Sequence, residues 1–491
     1  MPFGTPVPQA DSFRVPMRDG VRLHTDVYLP PSPTRLPAVL IRTPYDKTRP
    51  DTLLPDIAAR LTDAGLAVVT QDVRGKIRSE GRTEPFRAET GDAWDVLEWI
   101  TAQRWSDGTV GCWGNSYYGF TAWVALASLH PAVRALVSRL TTTDIGGELI
   151  HRGGVFRLGP MVDWLTTTWA DRANLATSPD WSRRPFAGLL DELPAVTGEL
   201  SPAQWPTTPP GANRWRQLAF GDHTPGHGRV PTLHWTGWYD LFQSGQLRDW
   251  CRAQRAARAP QYLIAGAIDH QDDPHTPDGH GPDHLTDPAA RETMLDRSLT
   301  PVIDFLLRHL GTGGAGEPPP PVRWQSTGTG RHTAPCWPPP GTRTLRLHLA
   351  DAPAAASGPE GGALVARPDA EARPAGWDHD PDDLVPATDT NWWRPLPALP
   401  DERQVEGRPD VLTFTGSASR PSGLLGEQRP RRGEIHVPNR GLFRREVPRV
   451  VGTSPARGRS SCLQTVARHI DSDRPCRTPM TPPPGNAIVS R

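Results

Sequence analysis

The sequence predicts a mixed α/β protein whose core is a parallel β-sheet with helices on both faces. Two short apolar runs, at residues 38–41 and 66–69, are typical of strands that are buried on both sides. Segments with a helical spacing of apolar residues occur at 56–64, 92–103 and 116–129. Because strands and helices alternate along this part of the chain, the strands are expected to run parallel.

Two helix starts are predicted from the chemistry of helix ends. Asp92 is a candidate N-cap of the helix over residues 92–103, since its carboxylate can accept hydrogen bonds from the free N–H groups of a first turn. A later helix is expected to begin near Thr300 and Pro301, because proline is favoured in the first helical turn. The apolar residues that follow Pro301 would then face the core.

The 491 residues are enough for about three domains of roughly 150 residues each. The sheet pattern fills residues 1–145 and resumes over 231–317, and between them residues 146–230 form a tryptophan-rich, mainly helical insertion. A proline-rich linker leads to residues 322–416, where alternating apolar residues predict an all-β region. Arginine, proline, glycine and serine dominate the tail, residues 417–491.

The tail is predicted to be disordered, because its composition offers few apolar residues to bury. The change in composition occurs inside what should be one β domain, so that domain is expected to be incomplete. We interpret the change as a shift of reading frame between residues 417 and 427.

Composition argues against several classes of partner. Lys plus Arg and Asp plus Glu both total 54, so no surplus of positive charge predicts nucleic-acid binding. The first residues lack a basic start followed by an apolar run, and no stretch approaches the roughly 20 apolar residues of a membrane span. Five widely spaced cysteines fit a reducing compartment, so a cytoplasmic location is expected.

The segment Val110–Gly119 reads as strand, sharp turn and helix, with Ser116 at the turn. This arrangement is typical of the nucleophile elbow of α/β-hydrolases, in which small neighbours hold a serine in a strained backbone and expose its hydroxyl. The G-x-S-x-G pattern is incomplete, because Tyr118 occupies the second glycine position and Gly119 follows one residue later. An ordinary strand-to-helix turn is the alternative. The surrounding strand and helix favour Ser116 as a catalytic nucleophile.

A nucleophilic serine needs a base, and the base needs a carboxylate that orients it. In α/β-hydrolases the acid and then the histidine follow the serine along the chain. Asp240 and His270 each follow a predicted strand, at 231–235 and 261–264, where the loops of a parallel sheet assemble active sites. The alternatives are a helix N-cap for Asp240 and a surface position for His270.

Several further motifs agree with one known group of proteins in their order and spacing. They extend from about Phe13 to Thr415 and include residues 17–21 (MRDGV), 42–47 (RTPYDK), 71–75 (QDVRG), 79–81 (SEG), 105–108 (WSDG) and 237–240 (GWYD). In these motifs the chain resembles the cocaine esterase and X-Pro dipeptidyl-peptidase group, closest to its CocE/NonD branch. The resemblance implies an α/β-hydrolase core, an inserted helical cap and a C-terminal jelly-roll.

The same resemblance implies roles for Tyr45, Tyr117 and Phe242, and Trp164 and Trp169 of the tryptophan-rich insertion are further candidates. The hydroxyl of Tyr45 and the backbone N–H of Tyr117 would form an oxyanion hole, which stabilises the negative charge of a tetrahedral intermediate. Trp164, Trp169 and Phe242 would line the substrate pocket. Ordinary packing in the core is the alternative for each of these aromatic side chains.

Two polar features are interpreted without a catalytic role. Asp72 and Arg74 resemble an element of the family and are expected to form an ion pair beneath the site. Residues 270–284 contain four histidines and four aspartates, a composition that could hold a divalent cation. The lack of a fixed motif such as H-E-x-x-H favours a polar loop that carries His270. No metal and no cofactor are therefore expected.

The expected chemistry is hydrolysis of a carboxylic ester, or of an amide, through an acyl-enzyme on Ser116. An apolar, uncharged acyl group is favoured, because Leu241, Phe242 and Gln243 follow Asp240 where relatives that hydrolyse α-amino-acid esters carry acidic residues. One alternative is an X-Pro dipeptidyl-peptidase or an α-amino-acid ester hydrolase. Another is an inactive hydrolase remnant with an altered C-terminus. The expected partner is a small-molecule substrate, with no nucleic acid and no membrane. A homodimer is a further alternative to a monomer.

Overall fold

The structure is a computed structural model that describes residues 9–416 with internal gaps. The positions outside the description are 33, 87–88, 169–178, 192, 194–201, 213–214, 216–223, 225, 273–281, 312, 314–316, 327–329, 343–347, 359–360, 369–372, 374–379, 381–382, 384 and 386–402. Trp169, most of the histidine-rich loop and the whole tail therefore lie outside the described residues.

Fifteen strands occur among the described residues. They are β1 (Asp11–Pro16), β2 (Arg22–Tyr28), β3 (Leu36–Thr43), β4 (Ala67–Asp72), β5 (Ser106–Asn115), β6 (Val133–Arg139), β7 (His151–Arg152), β8 (Val155–Phe156), β9 (Thr232–Gly237), β10 (Gln261–Gly266), β11 (Val322–Ser326), β12 (Gly330–Ala334), β13 (His348–Ala350), β14 (Gly362–Val365) and β15 (Phe414–Gly416). Ten of them form one sheet in the order β1-β2-β4-β3-β5-β6-β9-β10-β11-β12.

The large sheet is mostly parallel. The pairs from β4 through β3, β5, β6, β9 and β10 to β11 are parallel, while β1, β2 and β12 add antiparallel strands at the two edges. Every residue of β3 and of β4 is buried, as their apolar runs predicted. The mixed α/β class and the parallel core are therefore confirmed.

The described α-helices separate the strands. They are α1 (Leu54–Asp63), α2 (Glu89–Thr101), α3 (Ser116–Ala127), α4 (Leu158–Thr168), α5 (Gln243–Ala256), α6 (Pro288–Leu310) and the short α7 (Arg403–Glu406). Alternate strand residues face opposite helices, since side chains of a strand point to opposite sides of the sheet. Leu40 and Val69 pack with α2 and α3, whereas Val39 and Val68 pack with α1 and α6.

Two helix starts differ from the sequence prediction. Helix α2 begins at Glu89, so Asp92 lies inside the first turn and pairs with an arginine instead of capping the helix. Helix α6 begins at Pro288, where Oδ1 of Asp287 accepts the N–H of Ala290 at 2.8 Å. This aspartate–proline cap extends the helix upstream, and Pro301 lies in its interior. The apolar residues after Pro301 are buried, as predicted; they are Val302, Phe305, Leu306 and Leu310.

The boundary of the predicted β region also differs. Strands β11 and β12, at residues 322–334, extend the large sheet, because β11 pairs in parallel with β10. The pattern of one strand carries no information about which sheet it joins, so sequence alone could not make this distinction. Strands β13, β14 and β15 form a separate sheet, with β13 antiparallel and β15 parallel to β14. A jelly-roll is not established by these three strands.

The described part of residues 146–230 lies outside the large sheet. It contains a π-helical turn at Gly146–Ile150, the hairpin of β7 and β8, helix α4, and short 3-10 helices at Phe186–Leu190 and Pro202–Gln204. No helix in the described ranges is both long enough and apolar enough to cross a bilayer.

Asp72 and Arg74 do not pair with each other, contrary to the sequence interpretation. Oδ2 of Asp72 lies 3.0 Å from Nζ of Lys47, whereas Arg74 forms ion pairs with Asp19 and Asp92. The chain turns directly after β4, so the two side chains reach different partners.

Lys47 is the centre of a buried cluster of charges. Its side chain has no exposed surface, and Nζ lies 3.0 Å from Asp72, 3.1 Å from Asp26 and 2.7 Å from Nδ1 of His24. Burial raises the pKa of Asp72, while the ammonium group of Lys47 acts in the opposite direction. The cluster joins β2, the end of β4 and the loop after β3, which are the parts of the sheet next to Tyr45.

Replacing Lys47 with methionine is expected to lower the free energy of unfolding by about 3–5 kcal/mol, because the carboxylates of Asp72 and Asp26 stay buried without their cation. Urea unfolding at pH 7 measures the change. Arg49→Ala is the control, since the exposed Arg49–Asp51 pair contributes only about 0–1 kcal/mol. Equal losses in the two variants would contradict the interpretation of Lys47 as a buried partner.

Candidate active site

Ser116 stands at the junction between a buried strand and a helix, because β5 ends at Asn115 and α3 begins at Ser116. Its φ angle is 55°, in the left-handed region that residues with a Cβ seldom adopt. Such a conformation costs about 1–3 kcal/mol and persists only where the surrounding structure enforces it. The junction therefore has the strained backbone expected of a nucleophile elbow.

Two glycines allow the strand and the helix to approach closely at this turn. A Cβ on Gly114 would lie 1.9 Å from the carbonyl oxygen of Tyr118, and a Cβ on Gly119 would lie 2.7 Å from Cγ2 of Thr141. Both close contacts require glycine, whereas the position of Tyr118 has room for a side chain. The second glycine of the motif is displaced for this reason.

Asp240 and His270 lie beside Ser116, and all three side chains form one line of hydrogen bonds. Nε2 of His270 is 2.9 Å from Oγ of Ser116, and Nδ1 is 2.6 Å from Oδ1 of Asp240. A carboxylate only accepts hydrogen bonds, so we assign the proton to Nδ1. Nε2 is then left to accept the proton of the Ser116 hydroxyl.

The sheet explains how Asp240 and His270 meet. Each follows the carboxyl end of one of two neighbouring parallel strands, β9 and β10, and those ends share one edge of the sheet. The residue before α5 is Phe242, so Asp240 does not cap that helix. Oδ2 of Asp240 instead accepts the backbone N–H of Phe242 at 3.0 Å. The buried ring of Phe242 packs against the imidazole of His270, with ring centres 5.5 Å apart.

Tyr45 lies in the loop after β3, and its hydroxyl accepts a hydrogen bond of 2.9 Å from Nε1 of Trp164. Ser116 lies close enough to this hydroxyl to influence its pKa. Burial raises the pKa of Tyr45, while Trp164 and Ser116 act in the opposite direction. The hydroxyl therefore stays protonated at neutral pH and is able to donate a hydrogen bond close to Ser116.

The side chain of Tyr117 points away from Ser116 into a buried polar network. Its hydroxyl donates to Oε1 of Glu89 at 2.8 Å and accepts the backbone N–H of Phe86 at 2.9 Å. Arg42 pairs with the same carboxylate at 3.1 Å. The backbone N–H of Tyr117 is in the first turn of α3, where N–H groups have no partner within the helix. That N–H is thus a second donor next to Ser116.

Trp164 connects the insertion to the core. Its ring stacks on Phe86 and on Tyr117, with centres 5.3 and 5.9 Å apart, and its indole N–H reaches Tyr45. The side chain is 6% exposed, so it belongs to the packed core as well as to the surroundings of Tyr45. The other tryptophan predicted to line the pocket, Trp169, lies outside the described residues.

The loop that carries His270 is tied to the sheet by a second buried ion pair. Arg139, the last residue of β6, contacts Oδ2 of Asp272 at 2.8 Å, and its guanidinium lies 4.5 Å from the ring centre of Trp235. Asp272 follows His270 by two residues and has a left-handed φ of 70°. Arg139 therefore restrains the backbone on which the imidazole is held.

A cavity of about 540 Å³ adjoins the aromatic cluster through Tyr117 and Trp164. Its wall includes the charged residues Arg18, Asp19, Arg74, Lys76, Arg82, Glu84, Glu89, Asp92 and Asp95. Several of these charges compensate one another, as in the pairs Arg18–Asp95 and Arg74–Asp92. Ser116 and His270 are not part of this wall, so the cavity is separate from the hydrogen bonds that join Ser116, His270 and Asp240.

Residues 19–272 match the family model of the X-Pro dipeptidyl-peptidase (S15 family). This range is more than half of the chain, and it contains the elbow and both partners of Ser116. The chain belongs to the S15 family. The resemblance read from the motifs is therefore confirmed.

Relatives of this S15 chain include esterases. The cocaine esterase of Rhodococcus sp. (strain MB1 Bresler) is 30% identical over 292 residues, which cover 53% of this chain and 49% of that protein. The match thus spans about half the length of that relative. A solved α-amino acid ester hydrolase has 25% identity and a TM-score of 0.61 and covers 85% of this chain and 74% of its own. A CocE/NonD family hydrolase from Staphylococcus aureus, at 17% identity, has a TM-score of 0.52 over 73% and 60% of the two chains.

Sequence reasoning missed the polar residues that support this S15 site. Arg42 and Glu89 hold Tyr117, and Arg139 and Asp272 hold the histidine loop. A signal was present for the two arginines, since each follows an apolar run at the carboxyl end of a buried strand. A charge at that place requires a partner, because an unpaired buried charge is very costly.

Proposed function

We propose that the protein is a serine hydrolase that cleaves a carboxylic ester through an acyl-enzyme on Ser116. The proposal is carried by one observation, the unbroken hydrogen bonds from Ser116 through His270 to Asp240. The left-handed backbone of Ser116 supports it further, because a nucleophile elbow requires this strained conformation at the turn between strand and helix.

The reaction begins when Oγ of Ser116 attacks the carbonyl carbon of the substrate and His270 takes the hydroxyl proton. Asp240 holds the imidazole in the required tautomer and stabilises the imidazolium that forms. The tetrahedral intermediate then expels the alcohol, which receives the proton from His270. Water, activated by the same imidazole, attacks the acyl-enzyme and releases the acid, so Ser116 is restored.

The developing oxyanion would be bound by the hydroxyl of Tyr45 and the backbone N–H of Tyr117. Tyr117 is buried, and the half-buried Tyr45 is held by its hydrogen bond to Trp164, so both donors need little reorganisation as charge develops. The raised pKa of Tyr45 favours this role, because only the neutral phenol can donate. Tyr117 would act through its backbone, while its side chain is fixed by Glu89.

An apolar, uncharged acyl group is supported by the side chains around Asp240. Leu241 and Phe242 are buried and apolar. Trp164 is hydrogen-bonded to Tyr45 and places a further apolar ring near Ser116. Enzymes that act on α-amino-acid esters or on X-Pro peptides need an acidic group for the ammonium of the substrate. The similarity to an α-amino acid ester hydrolase nevertheless makes that activity the second candidate.

We also retain three structural proposals from the sequence. Residues 146–230 act as a cap over the core, supported by the contact from Trp164 to Tyr45. The strands after residue 348 derive from a jelly-roll, supported by the antiparallel pair of β13 and β14. A cytoplasmic location is supported by the free cysteines at 112, 251 and 336.

Ser116→Ala is expected to lower kcat for a simple aryl ester by at least about 10⁴-fold and to abolish labelling by a fluorophosphonate probe, because both need the serine oxygen. Ser128→Ala, at the other end of α3, is the matched control and should be labelled normally. Circular dichroism checks that both variants are folded. Turnover by purified Ser116→Ala would refute the nucleophile, and an unlabelled wild-type protein would favour the inactive remnant.

Tyr45→Phe is expected to lower kcat by about 100- to 1,000-fold with little change in KM, because the lost hydrogen bond forms mainly in the transition state. Steady-state kinetics on the same aryl ester measures both constants. Tyr262→Phe serves as the control, since that ring packs on the opposite face of the sheet against Phe305. An unchanged kcat in Tyr45→Phe would mean that Tyr45 only packs.

A substrate panel tests the acyl group. Benzoyl and short-chain acyl esters are expected to give higher kcat/KM than α-amino-acyl esters or X-Pro anilides, because the side chains next to Asp240 are apolar. The measurement is kcat/KM, with one leaving group for all of the esters and with uncharged acyl anilides as the reference for the X-Pro anilides. A preference for either amine-bearing class would contradict the proposed acyl specificity while leaving the serine mechanism in place.

A further inference from the structure

A line of buried hydrogen bonds connects the turn at Ser116 with the helix that follows Asp240. Oγ1 of Thr141 donates to the carbonyl oxygen of Ser116 at 2.7 Å. Oε1 of Gln246 in turn accepts the backbone N–H of Thr141 at 3.0 Å. Thr141 and Gln246 have no exposed surface. Gln246 lies in the first turns of α5, and its own N–H donates to the carbonyl oxygen of Phe242 at 2.9 Å.

The amide of Gln246 also ties two helices to the sheet. Its Nε2 donates to the carbonyl oxygen of Ser138 at 3.2 Å and to its Oγ at 3.0 Å. Nε1 of Trp123, on α3, donates to the same Oγ at 2.8 Å. Ser138 belongs to β6, the strand between those that carry Ser116 and Asp240. The position of Gln246 is therefore determined by β6 and α3 as well as by α5.

Thr141 touches the nucleophile turn with both of its γ atoms. The hydroxyl binds the Ser116 carbonyl, and Cγ2 lies so near Gly119 that an added Cβ there would come within 2.7 Å. The first contact is at Ser116 and the second is at Gly119, so the two contacts hold both ends of the first turn of α3. They oppose the relaxation of Ser116 from its φ of 55°.

We propose that Thr141 and Gln246 are positioning residues of the hydrolytic reaction. Neither touches the reacting atoms; Thr141 acts through the backbone of Ser116, and Gln246 acts through Thr141. Together they keep Oγ of Ser116 at hydrogen-bond distance from His270. They also fix the position of Ser116 relative to Asp240. This inference rests on the proposed function.

The chemistry is sensitive to such support, because a displacement of about 1 Å at the reacting atoms costs about 100-fold in rate. Loss of the Thr141 hydroxyl would free the Ser116 carbonyl to tilt and the turn to relax. Substrate binding depends on other side chains, so the defect should appear in kcat rather than in KM.

The test compares Thr141→Val with Thr141→Ser and Thr142→Val in the full chain. Valine keeps the methyl contact and removes the hydroxyl, so kcat for an aryl ester should fall about 10- to 100-fold while KM stays within about threefold. Thr141→Ser keeps the hydroxyl and should restore most of kcat. Thr142→Val is the matched control, because that hydroxyl bonds Asp249 at 3.0 Å instead of the elbow and should leave kcat unchanged.

The rate of reaction with a fluorophosphonate separates the possible outcomes. Slower labelling of Thr141→Val with rescue by Thr141→Ser supports the proposal, and Thr141→Ala carries the test if the valine variant does not fold. A wild-type kcat in Thr141→Val, or no rescue by serine, overturns it. In those cases a reactive wild-type protein preserves the proposed function. An unreactive wild-type protein overturns both.

A second comparison uses Gln246. Gln246→Met removes the acceptor for the Thr141 N–H, and it should lower kcat in the same manner. Because both residues act on one carbonyl, the double variant with Thr141→Val should lose less activity than the product of the two single losses. Independent, multiplicative losses would overturn the connection between Gln246 and Thr141.

Discussion

The left-handed backbone of Ser116 is the constraint on which the rest of the site depends. It projects the serine side chain from a tightly packed strand–helix junction. The strand and the helix can approach so closely only because Gly114 and Gly119 have no Cβ. A φ of 55° in a serine is costly, so the surrounding structure has to enforce it. The parallel sheet supplies that rigidity, and it brings Asp240 and His270 to the same edge.

Buried charges provide much of the rigidity around this edge. Glu89, paired with Arg42, fixes the Tyr117 hydroxyl, and Arg139 pairs with Asp272 in the histidine loop. Such pairs contribute little net stability, since the desolvation of two charges offsets most of their attraction. Their geometry is nevertheless specific, because removing either partner leaves a buried charge unpaired. We therefore regard these pairs as determinants of position within the site more than as sources of stability.

Sequence patterns predicted the elements that depend on local chemistry. The buried strands and the strand–turn–helix at Ser116 were clear, because apolar runs and small residues act within a few positions. Helix boundaries at Asp92 and Pro301 were wrong, since the chain offered a competing ion pair and an earlier cap. The partner of Arg74 and the role of Thr141 depend on side chains brought together by the fold over long separations. One sequence carries no signal for such contacts.

The hydrogen bond between Trp164 and Tyr45 links the insertion to the chemistry of the core. An indole N–H can only donate, so Trp164 occupies a lone pair of the Tyr45 oxygen and leaves its proton free. If the neighbour were an acceptor instead, it would compete with the oxyanion for that proton. A donor partner also increases the polarisation of the O–H group, which strengthens its bond to an anion. Under the proposed mechanism the insertion would influence both the oxyanion contact and the proposed acyl specificity, so rate and specificity are expected to change together when its packing changes.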